Sequence, residues 1–434
     1  WVEGGWGATP QRLARWAALA LVAAAHQRRL LDLRPLPERA HSTARSESAA
    51  ELLCAELEID GLPIDTVEAE RLITEAAGPR PRDETHADEL RRARDDEVLA
   101  ILGPGRAVDL RNPADVKAML RTVGLDLPDT RAWRLERHQD DHPLVAALLR
   151  WRKAERISTT YGWRWLDEHV HAGRLRGEWS SCDGAAGRMT ASAGLHNLPA
   201  ELRPAVAAEA GHVLVRADLG QIEPRVLAAV SGDAALIAAT ADDDLYQPVA
   251  TRLGVTRDVA KVAVLGAMYG STTGRSAHAL RGLEQAYPTA MGVLEAAARA
   301  GAAGEDVYTI GGRRVRMWVD DRSEEIEADA SLDRARSGAA ARGRFVRNAL
   351  RQGAAAELFK VWAVTVRARA EPLGARIVLC LHDELLLHVP DERAADAVTL
   401  VGDALDEAAY RWSPARDVRF VAEVTTVRRW SEAK

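Results

Sequence analysis

The residues best suited to chemistry are two aspartates, each placed where a strand-like apolar segment ends. Asp218 follows the alternating apolar positions of residues 212–217, and Asp383 follows the apolar run of residues 376–381. A carboxylate at the mouth of a buried strand is costly unless a cation meets it. Taken alone, Asp218 could equally be the N-cap of the helix predicted over residues 221–230. Two carboxylates brought together from separate strand ends would instead form a cage for hard divalent cations.

A second chemical segment lies between these aspartates. Arg257, Lys261, Leu265 and Tyr269 recur every fourth residue, and on a helix each such step drifts by about 40°, so the four share one broad face. An arginine fork and a lysine point charge one turn apart suit a triphosphate. A two-metal site would stabilise both the attacking and the leaving oxygen of an in-line phosphoryl displacement. The residue types therefore indicate phosphoryl transfer.

Three segments, in this order, resemble the motifs of family A DNA polymerases, the bacterial DNA polymerase I type. DLGQIEPRVLAAVSGD resembles motif A, RDVAKVAVLGAMYG resembles motif B, and LHDELLLHVP resembles motif C. The resemblance covers roughly residues 50–434. It implies template-directed attack of a primer 3′-hydroxyl on the α-phosphate of a dNTP, with two Mg²⁺ ions as cofactors and Mn²⁺ as a substitute.

The resemblance assigns metal and nucleotide roles to the matching positions. Asp218, Asp383 and the carbonyl of Leu219 would hold the metals, and Lys261 would be the general acid that protonates the pyrophosphate leaving group. Glu223 would be a steric gate beneath the sugar that favours DNA over RNA synthesis; otherwise it is a first-turn acid favoured by the helix macrodipole. Residues expected to bind the incoming nucleotide are Arg203, Glu223, Tyr246, Arg257, Lys261, Leu265 and Tyr269. For Tyr246 an ordinary core role is equally consistent with the sequence.

Primer–template DNA is the second implied partner. Arg188 would donate to the minor groove near the primer end, where every correct pair presents acceptors in similar places. His382 would contact the primer terminus, and Glu384 would support the metal site from behind. The expected DNA-binding residues are Arg188, Gly270, Arg344, Asn348, Gln352 and His382, of which Arg344, Asn348 and Gln352 again repeat every fourth residue.

Several positions depart from the family pattern. Leu219 stands where tyrosine is usual, Leu265 replaces the aromatic residue expected against the sugar, and residues 187–199 are one residue shorter than in the family. These departures leave open a catalytically impaired module that binds primer–template DNA on a polymerase fold. A two-metal nuclease or phosphatase is another alternative; it would need further acids or histidines near the two aspartates, and none clusters there in the sequence.

The whole chain is compatible with this assignment. Its 434 residues allow two to four domains. The net charge of −6 does not by itself indicate a nucleic-acid-binding protein, although a local basic channel can hold DNA on an acidic protein. Three cysteines at unrelated spacings suit a reducing compartment, and no apolar run is long enough to cross a membrane. The resemblance implies a cytoplasmic, nucleoid-associated bacterial protein that acts as a monomer.

The expected fold is α+β, the right-hand polymerase fold with an antiparallel palm sheet, mostly helical thumb and fingers, and a small helical N-terminal remnant. The expected divisions are an exonuclease-like remnant at 1–50, thumb at 51–150, first palm part at 151–232, fingers at 233–343 and second palm part at 344–434. The remnant lacks the Asp-x-Glu and Tyr-x-x-x-Asp patterns of a proofreading exonuclease. Proofreading is therefore not predicted, and the opening Trp1 suggests a fragment.

Overall fold

The computed structural model describes residues 9–103, 108–269, 276–315, 328–413, 415 and 417–433. Their contacts divide them into two compact units. The first unit comprises the described residues of 1–59, 179–190 and 211–427, and the second those of 60–178, 191–210 and 428–434. The described residues that are expected to do chemistry belong to the first unit, except Arg203.

Both helices and strands are present, in agreement with the predicted α+β class. In chain order the helices are α1 (Pro10–Asp32), α2 (Pro37–Asp60), α3 (Thr66–Ala77), α4 (Glu84–Leu99), α5 (Pro113–Thr122), α6 (Ala132–Leu135), α7 (Pro143–Thr160), α8 (Trp163–His169), α9 (Ile222–Ser231), α10 (Ala234–Ala239), α11 (Tyr246–Leu253), α12 (Arg257–Tyr269), α13 (Ser276–Ala286), α14 (Pro288–Ala303), α15 (Ala328–Ala370) and α16 (Ala394–Trp412). The strands are β1 (Leu62–Pro63), β2 (Val170–His171), β3 (Arg174–Leu175), β4 (Trp179–Asp183), β5 (Arg188–Ala191), β6 (His212–Leu219), β7 (Val307–Tyr308), β8 (Arg314–Val315), β9 (Arg376–Leu381), β10 (Glu384–Pro390) and β11 (Ala422–Val427).

The first unit is built on a four-stranded sheet in the order β11-β6-β10-β9. Each neighbouring pair is antiparallel, and the register places Glu384 of β10 and Glu423 of β11 opposite Asp218 of β6. The apolar residues of β10 are buried along almost its whole length, and α16 packs against β6, β10 and β11. The ladder therefore brings the end of β6 beside the β9–β10 hairpin, as the two apolar segments predicted.

Helices α9 to α15 belong to the same unit, and one carboxylate joins two of them. Asp233 accepts from the amides of Ala235 and Leu236 and so caps α10. Its other oxygen accepts from the amides of Thr289 and Ala290 in the first turn of α14. Because the first amides of a helix lack intrahelical partners, one buried side chain fixes the starts of two helices.

The N-terminal helices attach to this unit unequally. No residue of α1 is buried, whereas α2 buries apolar residues and carries Glu47, whose carboxylate pairs with Lys360 and Arg313. The Lys360 side chain is completely buried and also donates to the carbonyls of Ser181 and Gly187. Glu47 therefore supplies the counter-charge for two cations inside the first unit, since a buried ammonium is costly without a partner.

The second unit contains α3 to α8 and a small sheet in the order β1-β3-β2. Its core is an apolar cluster contributed mainly by α5 and α7 together with Val98 of α4. Asn112 caps α5, and Asp83 caps α4 through the amide of His86. Within the described ranges, no helix of either unit is both long and apolar enough to span a bilayer.

Candidate active site

The hairpin tip holds Asp383 against the end of β6. The Leu219 amide donates to the Asp383 carbonyl over 2.8 Å. In a strand, the amide and the carbonyl of one residue point to the same edge, so the Leu219 carbonyl also faces the hairpin tip. Asp218 lies one residue earlier on β6, opposite Glu384. The structure thus brings together all three groups predicted to hold metal.

Two residues in left-handed backbone conformations shape this corner. His382 has a φ of 51°, and the Asp383 amide donates back to the Leu381 carbonyl over 2.5 Å, which closes a three-residue turn. Gln221, at the start of α9, has a φ of 48°. Such conformations are uncommon outside glycine and cluster at functional sites. The turn at His382 gives the hairpin its short tip, on which both His382 and Asp383 are presented.

The cation required beside Asp218 is Arg216, which the sequence analysis did not single out. Its Nη2 lies 2.6 Å from Asp218 Oδ2 and 2.9 Å from Glu384 Oε2. Asp218 belongs to the strand, and Gln221 occupies the N-cap position of α9 without a side-chain cap. The alternative that Asp218 caps this helix is therefore wrong. The available signal was an arginine two residues before Asp218, on the same face of the strand.

Both aspartates hold their protons more tightly than a free carboxyl does. Burial raises the pKa of Asp383 to about 6, with a further contribution from the nearby charge of Asp218. Burial also raises the pKa of Asp218, against the opposing effect of Arg216. At His382, burial and the charge of Arg188 lower the pKa of the imidazole. Three carboxylates, those of Asp218, Asp383 and Glu384, thus lie near Arg216 at this corner, and a divalent cation would offset the excess negative charge.

The donor set fits a hard metal ion with an open coordination sphere. Asp218, Asp383 and the Leu219 carbonyl offer only oxygen, the donor that Mg²⁺ and Mn²⁺ prefer. In the part of the chain that the structure describes, no group of three or more histidine, cysteine, aspartate or glutamate side chains is arranged to hold a metal. Water and phosphate oxygens would have to complete the shell, as expected for an ion that also binds a substrate.

Glu223 stands in the first turn of α9 between two arginines. Its Oε1 lies 3.6 Å from Arg188 Nη2, and its Oε2 lies 3.6 Å from Arg351 Nη1. Arg351 comes from α15, is buried, and places its guanidinium 4.3 Å from the centre of the Tyr269 ring. The structure therefore joins Arg188, Glu223 and Tyr269, all predicted from the sequence, through Arg351, which was not predicted.

Helix α12 carries the remaining predicted nucleotide-binding residues on a more open surface. Lys261 is exposed, Leu265 is partly buried and Tyr269 ends the helix. Arg257, with 44% of its side chain exposed, pairs with Asp244 over 2.5 Å, and this bond raises the pKa of the arginine. The predicted helix and its register are confirmed, and Arg257 already has a carboxylate partner that a triphosphate would have to replace.

Tyr246 and Arg203 have contrasting surroundings. Tyr246 is buried near Arg257, and its hydroxyl has a pKa raised to about 12 by burial and by the charges of Glu223 and Asp244. Arg203 belongs to the second unit, where its guanidinium lies 4.3 Å from the centre of the Trp430 ring. The nucleotide-binding roles of both residues remain predictions.

Three predicted DNA-binding residues lie along α15. Arg344 is exposed, while Asn348 and Gln352 are partly buried. Among the described residues, the Asn348 side-chain oxygen is buried and has no hydrogen-bond partner. A buried polar atom left unpaired is rare enough to suggest an absent ligand or water. Gly270, also predicted to contact DNA, lies outside the described residues.

A further arginine holds the motif A turn in place. Arg225 is fully buried and donates to the carbonyls of Gly220, Thr240, Asp242, Asp243 and Arg419. Burial lowers the pKa of Arg225 to about 10. The guanidinium thus joins the loop after β6 to the segment that leads into α11. Its five N–H donors suit this task, which a lysine ammonium could not perform.

Comparisons with known proteins agree with the motifs. The family model described as DNA polymerase family A matches residues 109–432. A thermostable DNA polymerase I from Thermus filiformis is 31% identical over 348 residues, 72% of this chain and 39% of that protein. The Thermus aquaticus enzyme of the same name is 32% identical over 314 residues, 65% of this chain and 36% of that protein. This chain thus spans about two fifths of the length of such relatives.

A solved structure extends the likeness to the fold. The POL domain of Pol1 from M. smegmatis, in complex with DNA primer-template and dNTP, superposes with a TM-score of 0.70 at 26% identity, covering 89% of this chain and 70% of that one. The predicted right-hand polymerase fold is therefore confirmed. With the family model matching most of its length, the chain belongs to DNA polymerase family A.

Proposed function

We propose that this chain catalyses template-directed DNA synthesis, in which a primer 3′-hydroxyl attacks the α-phosphate of a dNTP. The observation that carries the proposal is the corner formed by Asp218, Asp383 and the Leu219 carbonyl. Family membership and the DNA and dNTP bound by the related POL domain support it. Burial is the main cause of the raised pKa values of both aspartates, and strongly shifted values of this kind cluster at functional sites.

The metal-binding groups would be Asp218, Asp383 and the Leu219 carbonyl. Bound Mg²⁺ ions would lower the pKa of the attacking hydroxyl and stabilise the charge that develops on the phosphate oxygens. Arg216 pairs with Asp218 Oδ2 and with Glu384 Oε2 and so holds both carboxylates in place. This arrangement is fixed before substrate arrives, as electrostatic catalysis requires.

Helix α12 would bind the triphosphate. Arg257 would exchange its Asp244 partner for a phosphate oxygen, and Lys261 would donate a proton to the departing pyrophosphate. Glu223 would lie beneath the sugar and exclude a 2′-hydroxyl. Arg188, Arg344, Asn348, Gln352 and His382 would contact the primer–template duplex, the unpaired amide oxygen of Asn348 being suited to a minor-groove donor.

The proposal is tested by extension of a labelled primer on a DNA template with Mg²⁺ and all four dNTPs. We expect extension by the wild-type chain, loss of extension in Asp383→Ala, and refusal of ribonucleotides. Asp403→Ala, which removes an exposed aspartate on α16, is the matched control and should extend normally.

Two other outcomes would each overturn the proposal. Tight binding of primer–template DNA without extension would favour an impaired binding module, for which Leu219 and Leu265 are the motivation. Loss of DNA in Mg²⁺ without dNTPs would favour a nuclease. We expect neither that loss nor the removal of a mismatched primer terminus, because the proposed chemistry includes no proofreading by this chain.

A further inference from the structure

Arg351 is the most unusually placed charge in the described part of the chain. Its side chain is only 1% exposed, and it borders an apolar crevice that Val226, Leu227, Leu294 and Leu350 also line. Within the described residues, none of its three guanidinium nitrogens has a hydrogen-bond partner. Burying a guanidinium in this way is unfavourable unless something compensates for it. The groups that compensate for the buried charge of Arg351 therefore indicate its role.

Among the described residues, a carboxylate and an aromatic ring lie close enough to this guanidinium to attract it. Glu223 Oε2 is 3.6 Å from Nη1, which is an ion pair without a hydrogen bond. The ring of Tyr269 lies 4.3 Å from the guanidinium carbon, within the range of a cation–π contact. One arginine on α15 thus contacts the first turn of α9 and the last residue of α12.

The position of Glu223 follows from this arrangement. Arg188 attracts one carboxylate oxygen and Arg351 the other, each at 3.6 Å. The Arg188 side chain is 35% exposed, whereas the Arg351 side chain is only 1% exposed. Attraction between charges is also strongest where water is excluded. Arg351 is therefore the fixed reference against which Glu223 is aligned.

We propose that Arg351 is a positioning and specificity-determining residue. It fixes Glu223 beneath the nucleotide sugar, couples that carboxylate to Tyr269, and so sets the discrimination between deoxyribonucleotides and ribonucleotides. This inference rests on the proposed DNA-synthetic function. Without the buried charge, Glu223 can rotate toward Arg188 and solvent, which opens space for a 2′-hydroxyl while leaving the metal-binding groups unchanged.

The test compares single-nucleotide incorporation from dNTP and rNTP, as kcat/KM, in the wild type and Arg351→Met. Methionine retains the apolar stem and removes the charge. We expect the dNTP/rNTP ratio to fall about tenfold or more, the scale on which a pocket discriminates between closely related substrates. Glu223→Gln should lower the same ratio, and the double variant should show no additional loss, because both changes remove one interaction.

Arg347→Met is the matched control. Arg347 lies one turn earlier on α15 and donates to the Ala267 carbonyl instead of pairing with Glu223. Its removal should leave the ratio unchanged. Arg351→Lys, which keeps a charge but loses the planar fork, should give an intermediate ratio and serves if the methionine variant fails to fold.

The outcomes separate the two proposals. A wild-type chain that does not extend primers overturns the DNA-synthetic function and this inference with it. A wild-type chain that extends and discriminates, together with an unchanged ratio in Arg351→Met, overturns only the inference. In that case equal losses for dNTP and rNTP would indicate a structural role, and weaker primer–template binding would indicate a DNA contact.

Discussion

The sheet corner and helix α12 both carry charges suited to phosphoryl transfer, but they hold them in opposite ways. In the corner, Asp218 and Glu384 share Arg216 at 2.6 and 2.9 Å, and the strand ladder fixes all three. On α12, Lys261 is exposed and Arg257 pairs with Asp244, which is itself partly exposed. Fixed charges suit a site that must be preorganised, whereas exchangeable ones suit the capture and release of a substrate.

The largest expected effect concerns the exposed side of this comparison. Lys261→Ala should lower kcat by about 10²- to 10⁴-fold, the usual contribution of a general acid. Arg257→Ala should act mainly through KM for the dNTP, because its predicted role is binding. Steady-state kinetics of single-nucleotide incorporation would check both, and equal changes in kcat and KM for the two variants would contradict this division of roles.

Removing Arg216 would test how strongly its ion pairs stabilise the sheet corner. Arg216→Leu leaves Glu384, with a 7% exposed side chain, without its cation, and we expect a loss of about 3–5 kcal/mol in the free energy of unfolding. Arg216→Leu combined with Glu384→Leu should recover much of that loss, since only Asp218, whose side chain is 34% exposed, is then left without its cation. Urea denaturation of both variants measures this, and equal stability of the single and double variants would show that the pair is not coupled.

Asp383→Asn should change the free energy of unfolding by a smaller amount, which depends on pH. The pKa of Asp383 is about 6 in the fold and about 3.9 in an unfolded chain, so the folded state binds this proton more tightly. Stability is therefore lost as the pH rises from about 4 through 6. In metal-free buffer the variant should be more stable than the wild type by about 1–3 kcal/mol at pH 8, with the difference vanishing near pH 4.

Thermal unfolding with a chelator present checks this prediction at both pH values. Asp403→Asn, on the exposed surface of α16, is the control and should show no such difference. An Asp383→Asn variant less stable than the wild type at pH 8 would contradict the expected direction of the effect. Added Mg²⁺ should narrow the gap between wild type and variant, because only the wild type keeps both carboxylates.

The smallest expected effect concerns the ion pair between Asp244 and Arg257 of α12. Asp244→Asn removes the charge that holds Arg257 and should lower KM for dNTP a few-fold, since exposed ion pairs contribute about 0–1 kcal/mol. Nucleotide titration at constant primer–template concentration measures it. A raised KM would mean that Asp244 orients Arg257 productively instead of competing with the substrate.

Repeating sequence patterns predicted the strands and helices that position the site. The sequence did not predict which groups the long arginine side chains would contact. Alternation predicted β6 and the β9–β10 hairpin, and fourfold spacing predicted the face of α12, because both follow from backbone geometry. The contacts of Arg216, Arg225 and Arg351 were not predicted from the sequence. Their partners lie on other elements, and a buried arginine has no local signature that names the carboxylate or carbonyls it will reach.

The attachment of Glu47 to Lys360 and Arg313 has a consequence for shortening the chain. Helix α1 buries no residue, so a chain that starts near Pro37 should remain folded. A chain that starts at residue 51, where the sequence alone would place the boundary, lacks Glu47. The fully buried ammonium of Lys360 then loses its carboxylate partner. The part of α2 that carries Glu47 was predicted to belong to an exonuclease-like remnant. It is nevertheless needed in any shortened chain that is to keep Lys360 paired.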